Sequence, residues 1–295
     1  MAGWRTLGLL LALRLLAPGA ADLERLIDSG DLARARHELK TLVAQSGETA
    51  RTLFLEAVIL HRERRYVESL ERLQSCLRKD PDRADGYKLA GLNLVALGRE
   101  AFAGPYFENA AELAPADPKA QYYLGLHYLT RKSFPEAEPP LRRAVKLDPR
   151  DLDARCVLGI VLEQLGREPE AAREYEEAIR LERTARHRNA KPFLYLGRLH
   201  FGAERYQQSV EVLSIAAGIA PADVEVLVSL GQALEKAERS EEGEARYLEA
   251  ARLAPDDKRP HFHLMRIYRS RRMTEKALYH MRRFRELEET SAQAK

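Results

Sequence analysis

His261 and His263 are the closest pair among eight histidines, the residue type that most often ligates zinc or moves protons near neutral pH. Two residues apart on a helix, they project to different faces. No carboxylate or cysteine stands beside them at ligand spacing, so the pair predicts no metal site. Nothing pairs a nucleophile with a base: the chain holds no GxSxG, HExxH, GxxxxGKS, GxxxxGKT or paired CxxC pattern. The aspartates and glutamates fall mostly on polar helix faces, where solvation is their ordinary role. The expectation is a chain with no catalytic residue, no cofactor and no metal, whose chemistry is that of a binding surface.

Such a surface needs elements to carry it, and small residues show how they are spaced. Gly91, Gly125 and Gly159 stand 34 residues apart, Gly197 follows after 38, and Gly231 after 34 again. Pro81, Pro115 and Pro149 keep the same period, and Pro221 and Pro255 resume it after the same slip of four. Bulky residues recur in a second column (Phe107, Leu141, Tyr175, Leu213, Tyr247, Met281), and alanines in a third (Ala110, Ala144, Ala178, Ala216, Ala250). Within each period the apolar positions fall three or four apart in two stripes, which predicts two amphipathic helices per period. Turn signals such as "LGRE" break them, and the proline closes the second. Glycine inside a helix costs about 0.5 to 1 kcal/mol relative to alanine, so its recurrence mid-helix predicts a close approach of the two backbones. Gly30, Arg64, Gly98, Lys132 and Gly166 share another fixed slot. His200 occupies a column where Tyr128 is a packing residue, so it reads as packing too.

A 34-residue period with two helices, small residues at fixed points and a terminal proline resembles the tetratricopeptide repeat. "AQYYLGLHYLTRKSFPEAEPPLRRAVKLDP" (Ala120 to Pro149) and "VEVLVSLGQALEKAERSEEGEARYLEAARLAP" (Val224 to Pro255) carry the resemblance most fully. It implies an all-α, right-handed α-solenoid of about eight stacked helix-turn-helix repeats, starting near 16, 50, 84, 118, 152, 190, 224 and 258. It also implies that first helices line a concave groove for a protein or peptide partner. Members that clamp chaperone C-termini use a lysine and an asparagine one turn apart. Here Lys88 is followed by Leu92, and the equivalent pairs Tyr122 with Leu126 and Cys156 with Ile160 have neither residue, so that partner is not expected.

Composition excludes further classes. The chain is 45% hydrophobic, 32% charged and 7% aromatic, a profile of helix-rich globular protein rather than of membrane-embedded or disordered chain. Its 48 basic and 45 acidic residues leave a net charge of +3, which argues against nucleic acid as the main partner. Cys76 and Cys156 fall three repeats apart, beyond disulfide reach, and read as unpaired thiols. "MAGWRTLGLLLALRLLAPGAAD" has a basic start, an apolar run interrupted by Arg14, and small residues near Ala20 and Ala21: the plan of a secretory signal peptide, too short to span a bilayer. Export to a periplasmic or extracellular site is therefore expected over a cytoplasmic one. The resulting plan is 1–21 signal peptide, 22–49 incomplete first repeat, 50–185 repeats two to five, 186–189 insertion, 190–291 repeats six to eight with a basic cap, and 292–295 tail.

The candidate groove residues are the outward ones of the first helices. An apolar set comprises Phe54, Val58, Leu92, Val95, Tyr122, Leu126, Leu129 and Ile160, and a basic set Arg198, Arg259, Arg266 and Arg269. An apolar trough leading to a basic end would suit an extended or helical peptide with apolar anchors and an acidic terminus. The competing occupants of the apolar face are a neighbouring first helix and a second copy of this chain, as a homo-oligomer. The reading is a partner-binding scaffold. A regulatory or substrate-recruiting subunit of an enzyme, and an anion-binding protein using the basic last repeat, are the alternatives. Residues 258–285 hold ten lysines and arginines against one acid, Glu275. Two irregularities stand out: Pro139–Pro140 predicts a kinked or late-starting second helix, and Leu181 to Pro192, with Arg183, Arg186, Arg188 and Lys191, predicts a lengthened basic turn.

Overall fold

The computed structural model describes residues 19–182 and 188–293. The described residues form sixteen α-helices and no strand, in two compact units that divide after Leu147. The N-terminal unit contains α1 (Gly19–Ser29), α2 (Leu32–Ser46), α3 (Ala50–Arg62), α4 (Tyr66–Lys79), α5 (Ala84–Ala96), α6 (Gly104–Leu113), α7 (Pro118–Thr130) and α8 (Phe134–Leu147). The C-terminal unit contains α9 (Leu152–Gln164), α10 (Glu168–Glu182), α11 (Lys191–Gly202), α12 (Tyr206–Ile219), α13 (Val224–Lys236), α14 (Ser240–Leu253), α15 (Lys258–Ser270) and α16 (Thr274–Gln293). Odd-numbered helices pack on the even-numbered helix that follows, giving four hairpins in each unit. Residues 1–18 of the expected leader, 183–187 of the lengthened turn and 294–295 of the tail lie outside the described residues. Residues 19–21 belong to α1.

Each hairpin is closed by one device. The residue one place after α1 and two places after each later first helix has a positive φ: Gly30, Arg64, Gly98 and Lys132 in one unit, and Gly166, Glu204, Glu238 and Arg272 in the other. The next amide then reaches back five residues, as in Arg65 N to Leu60 O at 2.9 Å and Arg239 N to Leu234 O at 2.8 Å. This is the Schellman closure, which satisfies carbonyls that a helix end would leave bare. Five of the eight are not glycine, so they hold a left-handed conformation that costs an L-residue about 1 to 2 kcal/mol. Five first helices also start with a side-chain cap: Thr49, Asp117, Asp151, Asp223 and Asp257 each accept a backbone N–H of the first turn.

The glycine column does what its period predicts. A β-carbon at Gly125 would fall inside the van der Waals envelope of Leu141 Cγ, and 3.2 Å from the carbonyl of Ala137. Gly91 meets Phe107, Gly159 meets Tyr175, Gly197 meets Leu213 and Gly231 meets Tyr247 in the same way. The side chains filling these gaps are buried, with Tyr175, Tyr247, Leu141 and Leu213 fully so. In two hairpins a serine of the second helix bonds the backbone of the first at this same slot: Ser69 Oγ donates to Ala57 O and Ser209 Oγ to Gly197 O, both at 2.7 Å.

Of the two alternatives the prolines predict, the late start needs correction. α8 starts at Phe134, in line with its counterparts, and runs as α-helix through Pro139 and Pro140 to Leu147. The two absent donors would have bonded carbonyls of the first turn, while Ala137, Pro140, Leu141 and Ala144 are buried against α7, so packing overrides the local preference. The late start occurs one hairpin earlier: Glu100–Phe102 form a 3₁₀ turn, and α6 begins only at Gly104, with Pro105 in its first turn.

Gly125→Val should cost about 1 to 3 kcal/mol in urea unfolding through overpacking, and less in a Leu141→Ala background, because the cycle removes the clash. Lys132→Gly should stabilise by up to about 1 kcal/mol, since it relieves the left-handed backbone without touching a contact.

Candidate functional site

All twelve candidate groove residues lie on first helices, but most are less open than expected. In the N-terminal unit Phe54, Val58, Leu92, Tyr122, Leu126 and Leu129 are half-buried, and Val95 alone of the set is exposed, at 40%. Phe54 and Val58 pack against Ala57, Leu73, Leu89 and Ala90, so part of their area is spent on α4 and the next first helix. Leu92 packs against the cluster of Leu94, Ala103 and Phe107. What remains open is partly aromatic: the Arg83 guanidinium sits 5.4 Å from the Phe54 ring centroid, and the Lys119 ammonium 5.4 Å from that of Tyr122. Ile160, also half-buried, belongs to the C-terminal unit. Lys88 is bound to Asp117 and Asp85.

The basic set is exposed, yet largely neutralised. Arg198 pairs with Glu225 of the next first helix at 2.7 Å, Arg266 with Glu235 of the preceding one at 3.5 Å, and Arg259 forks onto Asp257 at 2.6 Å. Arg269 has no acidic partner among the described residues. Glu235 is also the acceptor for Tyr247, whose hydroxyl donates at 3.3 Å from beneath Gly231. His263 lies flat on the Tyr247 ring, 4.7 Å between centroids, with its Nε2 3.1 Å from the Gln232 amide. The His263 imidazole, and then Arg266, hold Glu235 below the usual carboxylate range. Glu163 receives the Tyr175 hydroxyl in the same manner, but burial raises it above that range.

Sequence reasoning missed a cleft in the N-terminal unit. It measures about 740 Å³ and is lined by residues of α4, α5 and α6, among them Leu70, Leu73, Arg78, Tyr87, Leu94 and Tyr106. The shortened α6 accompanies it, and Phe102 on the 3₁₀ turn is 67% exposed. The Gly104–Pro105 dipeptide was the available signal.

The remaining chemistry-bearing residues are separated. His261 and His263 are both buried but face different neighbours: His280 for the first, Tyr247 and Gln232 for the second. Among the described residues no three His, Cys, Asp or Glu side chains converge as metal ligands. Cys76 and Cys156 are buried and unpaired, and burial pushes the Cys156 thiol up to about 12, far from a nucleophile's range. His200 is half-buried, and burial lowers its pKa.

The tetratricopeptide repeat family profile matches residues 23–84, 88–151, 133–187 and 194–258, more than half of the chain. The chain belongs to the tetratricopeptide repeat family. Among curated proteins, the BBSome complex member BBS4 of Xenopus tropicalis is 30% identical over 140 residues, covering 48% of this chain and 27% of that protein. The type IV pilus assembly protein PilF of Pseudomonas aeruginosa is 34% identical over 95 residues, covering 32% of this chain and 36% of that protein. These matches thus span only about a third of either relative. A chain of the APC/C hetero-tetramer Cut9–Hcn1 superposes with a TM-score of 0.68 at 16% identity, covering 83% of this chain and 48% of that one. The Pseudomonas aeruginosa pilF structure gives 0.61 at 19%, covering 71% and 97%. At such identities the superpositions show a shared all-α repeat fold. No helix among the described residues is long and apolar enough to cross a membrane.

Val95→Glu should shift unfolding free energy by less than about 0.5 kcal/mol, as an exposed substitution does. Leu126→Glu should cost about 1 to 3 kcal/mol, because its half-buried side chain would desolvate a charge; paired urea titrations separate the two.

Proposed function

We propose that the protein is a non-catalytic scaffold that holds a partner protein or peptide on the first-helix face of its N-terminal unit. The observation that carries this reading is the partly open apolar and aromatic surface repeated on three successive first helices: Phe54 and Val58, then Leu92 and Val95, then Tyr122, Leu126 and Leu129. A peptide laid across them would find side-chain pockets at intervals set by hairpin spacing, beside rings already covered in part by Arg83 and Lys119. The names of the two curated relatives, a complex member and an assembly protein, support an adaptor rather than an enzyme. The basic end of the expected trough recedes in this reading, since Arg198, Arg259 and Arg266 are engaged by carboxylates. The basic, apolar and small-residue order of residues 1–21 adds export to the proposal, checked by the mass of the mature chain.

Crosslinking mass spectrometry in the native cell tests the surface. Val95→Glu combined with Tyr122→Ala should remove the dominant partner, with helical content unchanged by circular dichroism, whereas Arg198→Glu should leave it in place. A partner set indifferent to the double variant, or crosslinks between copies of the chain only, would overturn the proposal.

A further inference from the structure

The hairpin of α15 and α16 contains a pair of titratable groups that no partner surface uses. His261, in the first turn of α15, is 5% exposed, and His280, in α16, 7%. Their Nδ1 atoms face each other at 2.9 Å. At that distance one nitrogen donates and the other accepts, so the contact holds while at least one ring is neutral. With both rings charged, each Nδ1 carries a hydrogen, the bond is lost, and two cations stand in a buried site.

The surroundings are poor at compensating a second charge. Tyr268 stacks on His280 at 5.5 Å between centroids, and Tyr279 meets it edge-on at 4.9 Å. From α14, Glu244 reaches toward His280, but it already accepts the Tyr268 hydroxyl at 2.6 Å and Arg271 at 2.5 Å. At the start of α15, Asp257 lies toward His261 while capping the helix and pairing with Arg259. From α16, Arg283 bears on His261 and Lys276 on His280, both with positive charge. Burial first, and Arg283 after it, lower His261; burial, then His261 itself and Lys276, take His280 down to about 4.

We propose that His261 and His280 form a proton-operated latch between α15 and α16, closed while the pair shares one proton and released when it takes up a second. α16 packs chiefly on α15, so what joins those two helices largely holds α16 in place. The sign follows from linkage: the opened form binds protons more readily, so the latch is fully effective above the ordinary histidine range near 6.5. It weakens as pH falls from there toward about 4.

Hydrogen exchange of the full chain at about pH 7.5 and about pH 5, corrected for intrinsic rates, is the test. Amides of α16 should lose about tenfold in protection at the lower pH while α13 and α14 keep theirs, and His280→Gln should make that loss clearly smaller, the burial of His261 leaving a residue of it. Unchanged α16 protection, equal loss in His280→Gln, or loss spread evenly over α9 to α16 would each overturn the latch. Should His280→Gln not fold, nitrogen-15 titration of the native imidazoles decides: one ring staying neutral at about pH 5.5 supports the pair, and two rings charged at that pH refute it.

Discussion

The constraint on which everything else depends is the room left between two helix backbones. Where Gly125 faces Leu141, or Gly231 faces Tyr247, the distance is too short for a β-carbon, so the large side chain of the second helix occupies the volume the first helix vacates. That exchange fixes the register of the five hairpins that carry it, because sliding either helix by one turn would bring a side chain where only hydrogen fits. Register in turn decides which first-helix residues face outward. It also lets the Tyr175 and Tyr247 hydroxyls pass beneath the glycine and emerge beside Glu163 and Glu235.

The parts of this arrangement that could be read from sequence are those where physics admits few residue types. A close approach tolerates glycine or another small residue, so the Gly91, Gly125, Gly159, Gly197 and Gly231 column carries its own mark. The left-handed closure does not, since any side chain is admitted at a cost of about 1 to 2 kcal/mol. Glu204, Glu238 and Arg272 therefore pass unnoticed in sequence, although their backbone matches that of Gly98. The prolines misled in the opposite direction: Pro139 and Pro140 announce a break that buried neighbours overrule in α8, while Pro105 sits quietly in a helix that does begin late.

Exposure was the least readable property, because it belongs to neighbours rather than to the residue. Val58 looks outward on a helical wheel of α3, yet meets side chains supplied by α4 and α5. Charge behaves the same way. Arg36 with Glu63, Arg51 with Glu24, Arg198 with Glu225, and Arg271 with Glu244 are all 27 residues apart, a separation no local pattern reveals. Each of these links one hairpin to the next within its unit, and each is exposed enough to contribute modestly, about 0 to 1 kcal/mol. The arginines that seem to advertise an anion site are in large part the cross-ties of the stack. The cleft beside α6 was hidden for a related reason: it arises from where a helix starts, while the residues lining it keep ordinary apolar types.

Because every hairpin carries its own left-handed closure, and five of the eight their own glycine gap with the side chain that fills it, the parts list is complete within about one period of sequence. A gene encoding such a chain can gain or lose a whole period by unequal recombination and still present matching faces at the new junction. Shape-determining information is thus stored as copies rather than as one global solution. Copies are free to diverge wherever a neighbouring copy does not need them, which leaves the outward slots of the first helices as the places where a lineage can rewrite recognition without renegotiating the fold.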